Sequence, residues 1–148
     1  ENEFFSLLPG PGTAQNFPSQ QVNVWRNWPL ASEVVVPIPT WATTMDAQYS
    51  LINAHTNDDV WGEARIEVGS GELYSGSLVY DFNKSTGGER IQVYAGGRMA
   101  IPTAMRGKNK RFRVNARSLD VAPNEPGTMY VDRGSLIRLE VVFKEQVS

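Results

Sequence analysis

Along this chain of 148 residues, apolar positions recur at every second residue from about Val22 onward, and no stretch sustains a 3.6-residue repeat. Ile137, Leu139, Val141 and Phe143 alternate with Arg138, Glu140 and Lys144. Phe112, Val114 and Ala116 alternate with Arg111, Arg113, Asn115 and Arg117, and Ala64, Ile66 and Val68 alternate with Glu63, Arg65 and Glu67. A period of two belongs to strands with one buried and one wet face. Strands are predicted near residues 22–25, 33–38, 46–54, 61–68, 72–82, 89–95, 110–118, 128–132 and 135–144. Turn formers stand between them: Gly69-Ser70-Gly71, Asn83 to Gly88, Gly96-Gly97, Pro123 to Gly127 and Arg133-Gly134. Ala100 to Gly107 has room for one helical turn at most. The pattern therefore predicts an all-β fold, an antiparallel β-sandwich of jelly-roll-like type.

The first 21 residues read differently. Phe4, Phe5, Leu7 and Leu8 form an apolar knot ahead of Pro9-Gly10-Pro11-Gly12, and polar chain follows to Gln21. The knot has no period-two partner. It reads either as an extended arm that docks on a neighbouring subunit, leashed by the Pro-Gly segment, or as an arm folded over its own sandwich. The predicted organisation is thus an arm over residues 1–21 and one sandwich domain over 22–148. Starting at Glu1, the sequence is expected to be processed, trimmed or an excerpt.

Composition narrows the function. A net charge of −2 speaks against general nucleic-acid binding, which needs a basic footprint. No run reaches the roughly 20 apolar residues of a membrane-spanning helix. The absence of cysteine removes disulfides, thiolate metal sites and a cysteine nucleophile, and a single histidine, His55, disfavours triads and two-histidine metal centres. No cofactor is expected.

Local candidates remain. Glu63 and Glu67 share a strand face, as the carboxylate pair of a glycosidase would, although any charged wet face offers that spacing. Asn57-Asp58-Asp59 offers oxygen ligands for calcium, and equally plain turn residues. Asn83-Lys84-Ser85 fits a glycosylation sequon and predicts an exposed loop. Arg106, Lys108, Lys110, Arg111, Arg113 and Arg117 hold six of the fourteen basic residues, whereas residues 1–60 carry six acids against Arg26 alone. Such asymmetry suits either a basic interface patch or a strand with arginines on its wet face. Trp25, Trp28 and Trp41 are candidate sugar platforms or interface anchors.

The stretch from Pro37 to the C-terminus resembles a β-sandwich domain of tailed-bacteriophage virion proteins, found in capsid decoration proteins and in minor tail and fibre head domains. The residues carrying the resemblance are Val36-Pro37-Ile38-Pro39-Thr40-Trp41-Ala42, the strand Arg90 to Tyr94, the bend Ile101 to Gly107, the basic strand Lys110 to Arg117, and Asp132 to Leu136 leading into the last strand. The resemblance implies a non-enzymatic virion component that self-associates, as a homotrimer, and docks on a major capsid or tail protein. Its role there is decoration or attachment to a host-surface glycan through the loops 53–60, 83–89 and 123–128. A carbohydrate-binding module of an extracellular protein, with Trp25 and Trp28 on the sugar, is the alternative. A small sandwich hydrolase built on Glu63, Glu67 and His55 is the third.

Overall fold

The computed structural model describes residues 2–7, 15–17, 23–28, 33–56, 60–82, 91–119, 129–131 and 137–145. Among these, β1 (Asn2–Leu7), β2 (Gln15–Phe17), β5 (Thr44–Thr56), β9 (Ile91–Ala100), β11 (Met129–Val131) and β12 (Ile137–Lys144) make one sheet. The other holds β3 (Arg26–Asn27), β4 (Val34–Pro37), β6 (Val60–Val68), β7 (Leu73–Tyr74), β8 (Leu78–Phe82) and β10 (Asn109–Leu119). Every strand pairing is antiparallel.

Several strands lie end to end along one neighbour, so each sheet has four lanes. β12 and β11 both run along one edge of β5, with β9 on its other edge. β1 and β2 run along β12 and β11 in the same way. In the second sheet β4 and β3 share one edge of β10, and β8 and β7 share the far edge of β6. Numbered in chain order, the lanes of the first sheet run 1-8-3-6 and those of the second run 2-7-4-5. From lane to lane, every step but that from β6 to β7 passes from one sheet to the other. That is the lane order of a jelly roll, as the alternating pattern predicts.

The core lies between the sheets where the period-two positions put it. Ile137, Leu139, Val141 and Phe143 face inward from β12, and Phe112, Val114 and Ala116 from β10. Ala64, Ile66 and Val68 face them from β6, and Met45, Ala47, Tyr49 and Leu51 from β5. Each large apolar side chain buried here is worth roughly 1.5–3 kcal/mol. Tyr49 brings the only hydroxyl among them, and it donates across the sandwich to the Phe112 carbonyl oxygen at 3.0 Å. Burial pushes this phenol far above its usual ionisation range.

Against the predicted elements, the strand 72–82 and the Gly96-Gly97 turn differ, whereas the helical turn between Ala100 and Gly107 is present. The stretch 72–82 is two strands, because the chain leaves the ladder over Ser75–Ser77; there the Ser75 hydroxyl accepts from the Ile66 backbone N–H at 2.9 Å. Gly96-Gly97 is no turn: both residues stay within β9, with positive φ of 136° and 151°. The one helical turn falls at Thr103–Met105 as a 3-10 turn that buries Met105. Residues 2–7, read as part of an arm, pair with β12 of the same chain, Leu7 opposite Leu139, and so form the margin of its own sheet.

Candidate functional site

The outer face of the second sheet takes the polar residues of β6 and β10 at alternate positions. Register sets Glu67 opposite Arg113, Arg65 opposite Asn115, and Glu63 opposite Arg117. Glu67 and Arg113 form a close ion pair, and the Arg117 guanidinium lies 2.9 Å from Glu63. The Asn115 amide donates to Asn27 at 3.0 Å. The Arg65 guanidinium sits between two rings, 4.0 Å from the centre of Trp25 and 3.8 Å from that of Tyr74, and Arg117 reaches Trp25 at 4.4 Å. Partial burial lowers the Arg65 pKa, against the pull of Tyr74 and the neighbouring glutamates. Under this cover Glu67 and Asn115 are buried although they point away from the core.

This geometry settles several of the residues singled out by sequence. Glu63 and Glu67 do share a face, but each is held by an arginine. The basic cluster is not an uncompensated patch: Arg113 and Arg117 meet those glutamates, Lys110 binds both Glu72 oxygens at 2.9 Å, and Arg111 lies 3.4 Å from Glu33. Arg106 turns back to the Ile101 carbonyl at 3.2 Å, and Lys108 is exposed. Trp28 is 1% exposed and its backbone N–H bonds to Val114, so no sugar reaches it. Trp25 is half-buried beneath the two arginines, and Trp41 packs at the margin of the core. Phe4, Phe5 and Leu7 are on β1, opposite Val142, Val141 and Leu139, whereas Leu8 lies outside the described residues. Asn57-Asp58-Asp59, the sequon Asn83-Lys84-Ser85 and the loops 83–89 and 123–128 also lie outside them. Among the described residues no group of three His, Cys, Asp or Glu is placed to hold a metal ion.

The feature that sequence reading missed is on the outer face of the first sheet. Across β12, β5 and β9 the outward positions form rows, Val142–Asp46–Arg98 and Glu140–Gln48–Gly96. The second row ends without a side chain, which opens a trough of about 330 Å³. Positive φ turns Gly96 out of the alternation: a Cβ there would point inward, 2.0 Å from the Ala47 carbonyl oxygen and 2.9 Å from the buried Ile66 side chain, so backbone and φ both demand glycine. A Cβ on Gly97 would meet nothing within 4 Å. Leu78 and Tyr94 make the wall on one side, and Gln48 with Glu140 the rim on the other. Asp46 lies 2.6 Å from Lys144 and 3.4 Å from Arg98, and the Lys144 hydrogen bond holds its pKa below the usual carboxylate value. Arg138 lies 2.6 Å from Glu140. The signal for this site is the Gly-Gly pair inside an alternating run, which also reads as a turn.

Tyr80 ties the two sheets together beside the trough. Its hydroxyl donates to the Tyr94 carbonyl and accepts from the Tyr94 N–H at 2.6 Å. Burial raises the pKa of this phenol, with the Tyr94 backbone bond opposing.

No protein-family model matches the chain, and no curated protein matches its sequence. Among solved structures it is similar to the VP2 subviral particle of infectious bursal disease virus, at 12% identity and a TM-score of 0.48, over 100% of this chain and 38% of that one. Dimeric latent PorU from Porphyromonas gingivalis is similar at 12% identity and a TM-score of 0.46, over 98% and 13%. The C-terminal CBM6 of LamC, a marine laminarinase from Zobellia galactanivorans, is similar at 12% identity and a TM-score of 0.43, over 93% and 98%. The chain thus spans well under half the length of the VP2 chain. At 12% identity and TM-scores below 0.5 these likenesses assign the chain no role.

Proposed function

We propose that this domain is a non-enzymatic structural subunit of a virus particle, of the tailed-phage kind that the sequence from Pro37 onward resembles. It self-associates as a trimer and docks on a capsid or tail protein, as decoration or for host-surface attachment. The observation that carries the reading is the lane order 1-8-3-6 over 2-7-4-5, a jelly roll, the architecture that viral capsid and lectin domains use repeatedly. Fold alone does not assign function, so the surface must supply the rest. A cyclic trimer needs two different patches that fit one another. The second sheet offers apolar side chains at both margins: Val35 on β4 is 60% exposed, and Val79 on β8 is 54% exposed. Packing one margin against the other on the next copy closes a ring.

Light scattering after size exclusion tests this reading, followed by immuno-electron microscopy of particles. A mass of three chains that falls to one in the double variant Val35→Lys, Val79→Lys supports it. A monomer that never labels a particle overturns it. One observation favours a second reading, a saccharide-binding module: the trough beside Gly96.

A further inference from the structure

We infer that the trough over Gly96-Gly97 binds a neutral saccharide, one or two sugar rings at a time. The inference stands on the trough and not on the particle reading. Its volume of about 330 Å³ falls at the small end of ligand sites, roughly 300–1,000 Å³. The floor is bare main chain, because neither Gly96 nor Gly97 carries a side chain there. A sugar ring is amphipathic, with apolar C–H faces and a hydroxyl rim, and the trough has the same division. Leu78, 45% exposed, and Tyr94, 38% exposed, offer an apolar and aromatic wall. Across from them Gln48 offers an amide that both donates and accepts and Glu140 an acceptor, while Arg98, on β9 with Tyr94, brings a donor fork. Paired donors and acceptors on rigid strands are what vicinal hydroxyls require.

Charge selects the class. Both carboxylates at the trough already have cations, Asp46 through Lys144 and Arg98, and Glu140 through Arg138. A metal ion or an amine would have to displace those partners. An acidic sugar would have to draw Arg98 or Lys144 away from Asp46, or Arg138 away from Glu140. A neutral polyol meets neither penalty.

The test is an amide-resonance titration of the full chain with maltotetraose, cellotetraose, mannotetraose and galactotetraose, with sialyllactose as the acidic control. At least one neutral sugar is expected to shift the amides of Gln48, Gly96 and Gly97. Gln48→Ala and Tyr94→Ala should each weaken that binding at least about tenfold, with the melting temperature of Gln48→Ala unchanged. Trp25→Ala should leave the affinity as it was. No shift with any neutral sugar, preference for sialyllactose, or binding lost in Trp25→Ala but kept in Gln48→Ala would each overturn the proposal. The chain mass is read on the same sample, so a monomer that binds sugar and labels no particle refutes the particle and keeps the site, whereas a trimer without sugar binding does the reverse.

Discussion

Replacing Tyr49 by Phe removes one oxygen from the middle of the sandwich and nothing else. The phenol is fully buried and its hydroxyl bonds to the Phe112 carbonyl at 3.0 Å, so the variant loses one bond between the sheets and leaves that oxygen a partner short. The expected cost at pH 7 is about 1–2 kcal/mol, or about 5 °C in melting temperature for a chain of this size. High pH turns the effect round. Burial raises the folded pKa of Tyr49 above its unfolded value near 10. The folded chain then keeps a proton that the unfolded chain releases. Its contribution is complete below pH 10 and drains away above it, at about 1.4 kcal/mol per pH unit. The Phe variant has no such proton. The stability difference between the two proteins should therefore shrink to nothing near pH 11 and reverse above it, while every other titration cancels. Urea unfolding at pH 7, 9, 10, 11 and 11.5 measures both limbs. A constant difference from pH 8 to 11.5 would refute the reasoning, because Tyr49 would then ionise as readily folded as unfolded.

Gly96→Ala should cost about 3 kcal/mol or more, since its Cβ meets the Ala47 carbonyl at 2.0 Å under a φ of +136°; the urea midpoint measures it. Trp28→Ala should cost about 3–5 kcal/mol, whereas Trp25→Ala loses chiefly its arginine stacking, about 1 kcal/mol, and thermal melts separate the two. Hydrogen bonds from Lys144 and Lys110 lower the pKa values of Asp46 and Glu72. These groups stabilise the fold above about pH 4 and lose that contribution as pH falls through their lower folded values, so the acid limb of stability should flatten in Asp46→Asn.

The strands were legible because burial on one face writes itself into the sequence: Ile137, Leu139, Val141 and Phe143 are all buried. Strand ends were less so, since β5 and β9 run past their alternating segments into Thr44 and Ala100. The outer faces were harder, because their meaning depends on the neighbouring strand. Arg113 and Arg117 look like a patch until register brings up Glu67 and Glu63 from a strand some fifty residues away. The Trp25–Trp28 pair carried its own warning: residues three apart in extended chain point to opposite faces, and only Trp25 faces out. The trough stayed hidden because Gly96-Gly97 reads equally well as a turn between strands.

The two sheets end in a way that bears on crowding. Three of their four margins consist of two short strands laid end to end, β1/β2, β3/β4 and β7/β8, with Pro37 in the second of these. Short, interrupted margins and proline discourage a foreign strand from adding to a sheet. The fourth margin, β9, is one ten-residue strand whose ladder with β5 shifts register between Leu51 and Ala54, and there the Tyr80 hydroxyl takes both the N–H and the carbonyl of Tyr94 that an incoming strand would need. One phenol thus occupies the main-chain groups that strand addition would use at this margin, and Tyr80→Phe should raise the rate of aggregation read by thioflavin fluorescence.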